Sequence, residues 1–317
     1  MATLYTQQDR NVHRTWFLMA LFLVIVIAIG WFISWYFGSP IILYIAVAFA
    51  VLMNIASFWY SAKITLSLAG AKPASREQFP ELYTVVENLA ITAGLPMPAL
   101  YVISDPAPNA FATGRDKDHA AVAVTSGLLG MMNKNELSGV LAHELSHIGN
   151  RDILLSTVVV VLVGFIAIIA NFFLRMSIFG GIGGGAGGLG GSGGRGGGKG
   201  SREGGAGGQI QLILAIVGIV FVILSPIIAT LIQLAISRKR EFLADADGAL
   251  LTRYPEGLAS ALEKIAAYGQ PLRHANNATA HLYISNPFGA GAKKGISKLF
   301  MTHPPTEERI AILRGME

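Results

Sequence analysis

His143-Glu144-Leu145-Ser146-His147 sets two imidazoles four residues apart, with a carboxylate directly after the first. On an α-helix residues four apart stand one above the other, so both rings can converge on one point. Glu144 then projects beside that point, within reach of a water but outside the ligand set. Two neutral imidazoles with an open position suit a catalytic Zn²⁺, and a neighbouring carboxylate suits proton transfer. Asn133 and Asn135 are candidate caps, Glu136 to Ala142 form a helical run, and Gly149-Asn150 is a stop signal. The competing reading is a helix whose two surface histidines pair with nearby acids.

Working outward, composition points to a bilayer. Of 317 residues 52% are hydrophobic and 14% charged, against about a quarter charged in soluble domains. Residues 15–37 carry no charge and are long enough to span a hydrocarbon core of about 30 Å. Residues 41–60 form a second such run after Gly38-Ser39-Pro40, with Trp31, Trp35, Tyr36, Trp59 and Tyr60 where aromatic belts form. Residues 153–174 and 210–236 read as two further spans, the alternative being a hairpin that enters without crossing. Arg10, Arg14, Lys63, Lys72, Arg76 and Arg238-Lys239-Arg240 all put their flanks in the cytoplasm. The net charge of +5 is thereby topological and requires no nucleic acid. The absence of cysteine restricts any zinc site to nitrogen and oxygen ligands.

The expected fold is a mainly α membrane protein with four transmembrane helices and a cytosolic α+β catalytic domain, which the family resemblance described below makes zincin-like. That domain has a small antiparallel sheet and the metal helix. The expected divisions are a cytosolic tail at 1–14, two spans at 15–60, a first catalytic part at 61–152, a membrane hairpin at 153–236 and a second catalytic part at 237–317. Glycine-rich residues 179–208 read as a flexible linker. Residues 76–94 read as helix and 255–267 as another, while 99–103, 109–114 and 120–124 read as strands. A sheet edge beside the metal helix offers an extended peptide a strand to pair with. Phe111 also reads as a plain core aromatic.

After residue 236, Glu241 and Asp245 share one helical face. Glu241 is the candidate third ligand, and Asp245 the candidate partner for the outer nitrogen of a ligating histidine. The alternative is an i,i+4 charge pattern with the preceding basic residues. His303-Pro304-Pro305 begins a last amphipathic helix, the prolines suiting its first turn. His13, His119, His274 and His281 read as surface histidines. Asn277-Ala278-Thr279 matches a glycosylation acceptor on the wrong side for modification.

Taken together, HELSH, SRKREFLADADGA, NAFATG and FMTHPPTEERIAIL resemble the HtpX-type membrane zinc peptidases, relatives of the CAAX prenyl endoproteases. The resemblance implies one zinc held by His143, His147 and Glu241, with Glu144 as general base and Asp245 behind the ligands. It implies a substrate edge at Asn109, Ala110, Phe111 and Ala112, and His303 stabilising the oxyanion. It further implies endopeptidase action on misfolded or damaged membrane proteins at the cytoplasmic membrane, facing the cytosol. An ATP-dependent membrane protease is the partner it suggests. Two other classes fit the residues less well: a metal-ion transporter, whose histidines would lie within a span, and an inactive scaffold, which has no use for Glu144.

Overall fold

The structure is a computed structural model of the chain and describes residues 4–164, 238–273, 275–276, 278–289 and 304–316. It opens on two helices long and apolar enough to cross a membrane, α1 (Leu4–Phe37) and α2 (Pro40–Trp59). The turn between them follows from its residues. Gly38 takes a left-handed φ of 63°, Ser39 is extended, and Pro40 starts α2 where its missing N–H costs nothing. A Cβ at Gly30 would overlap the Ala46 methyl, so the two backbones approach as small residues permit in membranes. Trp16, Trp31, Trp35, Tyr36, Trp59 and Tyr60 are exposed, as an aromatic belt requires.

A short α3 (Ser61–Leu68) leads into a four-stranded sheet in the order β1-β2-β4-β3. Its strands are β1 (Ala71–Pro73), β2 (Ala99–Ile103), β3 (Ala110–Gly114) and β4 (Ala120–Thr125). The sheet is mixed, which corrects the antiparallel expectation: β2 runs parallel to β4, with Ala99 opposite Ala121 and Ile103 opposite Thr125. The β3–β4 hairpin is antiparallel, and it folds back so that β4, the later strand, inserts next to β2. β3 is left at the edge. Every residue of β3 and β4 is buried, which explains their run of small apolar side chains in place of alternation.

α4 (Pro80–Ala93) begins at a proline, ends on left-handed Gly94 and buries Leu82, Val85, Val86, Leu89 and Ala90. After α5 (Ser126–Met131) comes the central helix α6 (Lys134–Gly149). Asn133 caps it in a full capping box, accepting from the Glu136 N–H while the Glu136 carboxylate accepts from the Asn133 N–H. Val140, Leu141, Leu145 and Ile148 of α6 are fully buried, worth about 1.5–3 kcal/mol each over exposure. At Asn150 the helix stops. Arg151 adopts a left-handed φ of 56°, and α7 (Asp152–Gly164) sets off at 86° to α6.

α8 (Arg238–Thr252), α9 (Pro255–Tyr268) and α10 (Thr306–Arg314) complete the described chain. Gly248 of α8 lies against the backbone of His143, and Gly139 of α6 against the backbone of Leu258 in α9. Pro305 is the N-cap of α10, so this helix starts just after the prolines and not on them. Of the two later spans, 153–164 is helical as α7; 165–174, 210–236 and the linker 179–208 lie outside the described residues. His13 and His119 are exposed as expected, whereas His281 is buried with its Nε2 3.1 Å from the Ser156 carbonyl. Its long-range position under α7 sets that burial, which local pattern does not register. His274 and Asn277 lie outside the described residues.

Candidate metal centre

α6 carries His143, Glu144 and His147, and the first turn of α8 carries Glu241. The close seat of Gly248 on the His143 backbone brings α8 near enough for Glu241 to face both imidazoles. The two Nε2 atoms stand 3.2 Å apart, and Glu241 lies 3.9 Å from His143 Nε2 and 3.7 Å from His147 Nε2. Four tetrahedral ligands at about 2.0–2.2 Å from one ion stand about 3.2–3.6 Å from each other, so this triangle has the size of a metal's coordination face. His143, His147 and Glu241 are the one such group among the described residues.

The outer ring nitrogens fix the direction of the inner ones. His143 Nδ1 meets Asp245 Oδ1 at 2.9 Å, and His147 Nδ1 meets Asp152 Oδ2 at 3.1 Å. With Nδ1–H donating to a carboxylate, each imidazole turns its Nε2 into the triangle, where the lone pair can bind a cation. Glu144 is buried beside the triangle, and its Oε1 has no hydrogen-bond partner. An orphaned carboxylate oxygen next to two imidazoles and a carboxylate fits a divalent ion with a water, and the residues therefore fit the implied metal.

Electrostatics agree with an ion-seeking cluster. Burial pushes the Glu144 carboxyl up to about 7, with Glu241 adding to the rise and His147, the Ala112 amide and Arg309 opposing it. Burial works against a charged His147, yet the Asp152 hydrogen bond and the charges of Glu241, Asp152 and Glu144 carry it up to about 9. Burial lowers His143, with Asp245 resisting. The cluster thus keeps protons that a divalent ion would displace.

Two residues of this site escaped the sequence reading. Arg309, 1% exposed, donates to Asp245 through Nε at 2.8 Å and Nη2 at 2.6 Å, and to the Ile284 carbonyl through Nη1 at 3.0 Å. Burial alone would raise the Asp245 carboxyl, but the Arg309 charge and hydrogen bonds, with His143, hold it at about 2. The signal was its place in α10, four residues before buried Leu313 and therefore on the core face. Asp152 is the other. It follows His147 by five residues across a helix stop, and only the 86° bend returns it to the ring.

The expected substrate segment divides. The Asn109 side chain clamps Ser285, donating from Nδ2 to the Ser285 carbonyl at 3.0 Å and accepting from its N–H at 3.3 Å. The Ile284 N–H donates to the Ala110 carbonyl at 3.0 Å, so residues 284–285 cover that end of the β3 edge. Phe111 is fully buried and packs edge-on to Tyr283, ring centres 5.1 Å apart. Ala112 brings its backbone amide to Glu144. His303 lies outside the described residues.

Comparisons with known proteins agree with this chemistry. A family profile described as Peptidase family M48 matches residues 76–317. Proteins named Protease HtpX homolog from Caldanaerobacter subterraneus subsp. tengcongensis and Thermoanaerobacter pseudethanolicus are each 46% identical over 99% of this chain and 98% of their own. One from Dictyoglomus turgidum is 42% identical over 99% of this chain and 95% of its own. The crystal structure of S. mikatae Ste24p gives a TM-score of 0.48 at 19% identity, covering 98% of this chain and 66% of that one. On the extent of these sequence matches, the chain belongs to Peptidase family M48, as a membrane metallopeptidase of the HtpX type.

Proposed function

We propose that the chain is a zinc endopeptidase that cleaves misfolded or damaged membrane proteins at the cytosolic face of the cytoplasmic membrane. The observation that carries this reading is the His143–His147–Glu241 triangle with the unpartnered Glu144 Oε1 beside it. An all-nitrogen-and-oxygen set of two imidazoles and one carboxylate matches the ligands of catalytic zinc peptidases. When bound, the ion supplies a Lewis acid for a water and a peptide carbonyl.

The protein groups then have separate tasks. Glu144 Oε1 takes a proton from the attacking water and later hands it to the departing amine nitrogen. Asp245 and Asp152 hold the two imidazoles in the tautomer that turns Nε2 inward. An extended substrate pairing with β3 displaces residues 284–285 from the Ala110 end and the Glu144 carboxylate from the Ala112 amide. The basic flanks at Arg10, Arg14, Lys63 and Arg238-Lys239-Arg240 support the cytosolic orientation.

The test uses purified full-length chain, zinc and an unfolded soluble protein as substrate. Glu144→Gln keeps the size of the side chain but cannot take the proton. Zinc content should be retained and the cleavage rate should fall by about 100-fold or more. Unchanged cleavage would remove Glu144 from the reaction, and loss of zinc in parallel with cleavage would make it structural.

A further inference from the structure

Resting on the metal-centre reading above, we infer that Asn11, on the first membrane helix, is a positioning residue for the metal centre. It acts through Asp152 and Arg240. Asn11 is 4% exposed and its Nδ2 donates to Asp152 Oδ1 at 2.6 Å, with the Asn150 carbonyl 3.5 Å away. The other oxygen of that carboxylate receives His147 Nδ1. The Asn11 Oδ1 in turn accepts from Arg240 Nη1 at 3.3 Å, and Arg240 also reaches Asp152 Oδ1 at 3.5 Å. Arg240 immediately precedes Glu241. One amide side chain therefore joins Asp152, 141 residues further along the chain and bonded to His147, to Arg240, 229 residues further along and next to Glu241.

The geometry explains why an amide is required. Asp152 and Arg240 are both buried, and a carboxylate held only by Arg240 at 3.5 Å would turn toward that guanidinium. The shorter Asn11 bond keeps Oδ1 where it is, and thereby keeps Oδ2 on the imidazole. Asn needs both its donor and its acceptor here, since Asp152 can only accept and Arg240 can only donate. Asn11 shares its helix face with Thr15, Leu18, Met19 and Phe22, all buried, so the first turns of α1 are part of the catalytic unit's packing. A displacement of α1 relative to α6 and α8 would thereby reach the metal through His147.

The experiment uses full-length protein in detergent, stripped by chelator and titrated with cobalt(II), whose visible absorption reports ligand geometry. Asp152→Asn should weaken cobalt binding about 10–100-fold, and Asn11→Ala, one bond further out, about 3–10-fold with shifted bands. Adding Asn11→Ala to Asp152→Asn should cost less than the sum of the two single changes, because both cut the bonds that lead to His147 and only the Arg240 arm remains to be lost. Leu18→Ala, which trims the same buried face without touching Asp152, should lower thermal stability and leave the spectrum unchanged. Asn11→Gln, with both polar atoms on a longer stem, should shift the bands in a chain that stays folded. Unshifted bands in Asn11→Ala and Asn11→Gln, with affinity within about twofold of the parent, would overturn the inference. So would an equal effect from Leu18→Ala. Failure of the parent chain to bind cobalt would remove the metal centre itself, and this inference with it.

Discussion

Replacing Arg309 by Met removes a buried cation while keeping most of its bulk. Asp245 is 1% exposed and would lose both of its arginine bonds, at 2.8 and 2.6 Å, and the Ile284 carbonyl would lose the third. Removing one partner of a buried ion pair costs about 3–5 kcal/mol, because the remaining charge has neither water nor counter-ion. At about 2–4 °C per kcal/mol for a domain of this size, the unfolding midpoint should fall by about 6–20 °C. Arg309→Lys keeps the charge but cannot form the two-pronged contact, and should lose about half as much. The double variant Arg309→Met with Asp245→Asn removes the stranded charge, so stability should largely return. Its metal affinity should not return, because His143 has lost the carboxylate that orients it. Thermal unfolding in detergent, with and without added zinc, reads both quantities. A midpoint within about 2 °C of the parent for Arg309→Met would refute the argument, since it would mean that Asp245 does not need its partner.

Three other outcomes can be measured on the same protein. Gly139→Ala drives a Cβ to 2.5 Å from the Leu258 nitrogen and should destabilise by about 1–3 kcal/mol. Gly248→Ala, 3.0 Å from the His143 nitrogen, should cost less stability but more metal, because it displaces Glu241's helix; equal metal affinity in both variants would contradict this. Burial would raise the Glu136 carboxyl, but the Lys264 ammonium, the Asn133 N–H and the Ser260 hydroxyl hold it below its ordinary 4.5. Its stabilisation is present above that value and lost as pH falls through the depressed one, so Glu136→Gln should cost about 1–3 kcal/mol at about pH 7 and much less near pH 3. A pH-independent difference in unfolding midpoint would count against it. Finally, single cysteines at Gln78 and Glu307 should resist a membrane-impermeant thiol reagent in intact cells while one at Ser39 reacts. Opposite labelling of Gln78 and Glu307 would place the two catalytic parts on different sides.

What was legible in the sequence had a local period or a local cap. The capping box at Asn133, the stop at Gly149-Asn150 and the imidazole spacing are short-range features, and they are realised in α6. Glu241 and Asp245 were legible as a pair because one helical face carries both. β1 was not, because three residues that include Pro73 make too short a run to register as a strand. The parallel pairing of β2 with β4 was hidden for a different reason. Chain order suggests a meander, and which strand sits beside which depends on how the β3–β4 hairpin folds back. Arg309 and Asp152 were hidden by charge: both are buried ionic side chains, and their partners lie across the fold or beyond a sharp bend.

The distance between the two halves of the site bears on when the chain becomes dangerous to its own cell. Arg309 follows His143 by 166 residues, and a ribosome adding about 5–20 residues per second needs about 10–30 s to cover that interval. During that time the helix with both imidazoles and Glu144 has been made, but Glu241, Asp245 and the arginine behind them have not all arrived. A nascent or prematurely terminated chain therefore has Glu144 and both imidazoles without the complete cradle. On the function proposed above, cleavage therefore waits until Arg309 has been made and has folded behind Asp245.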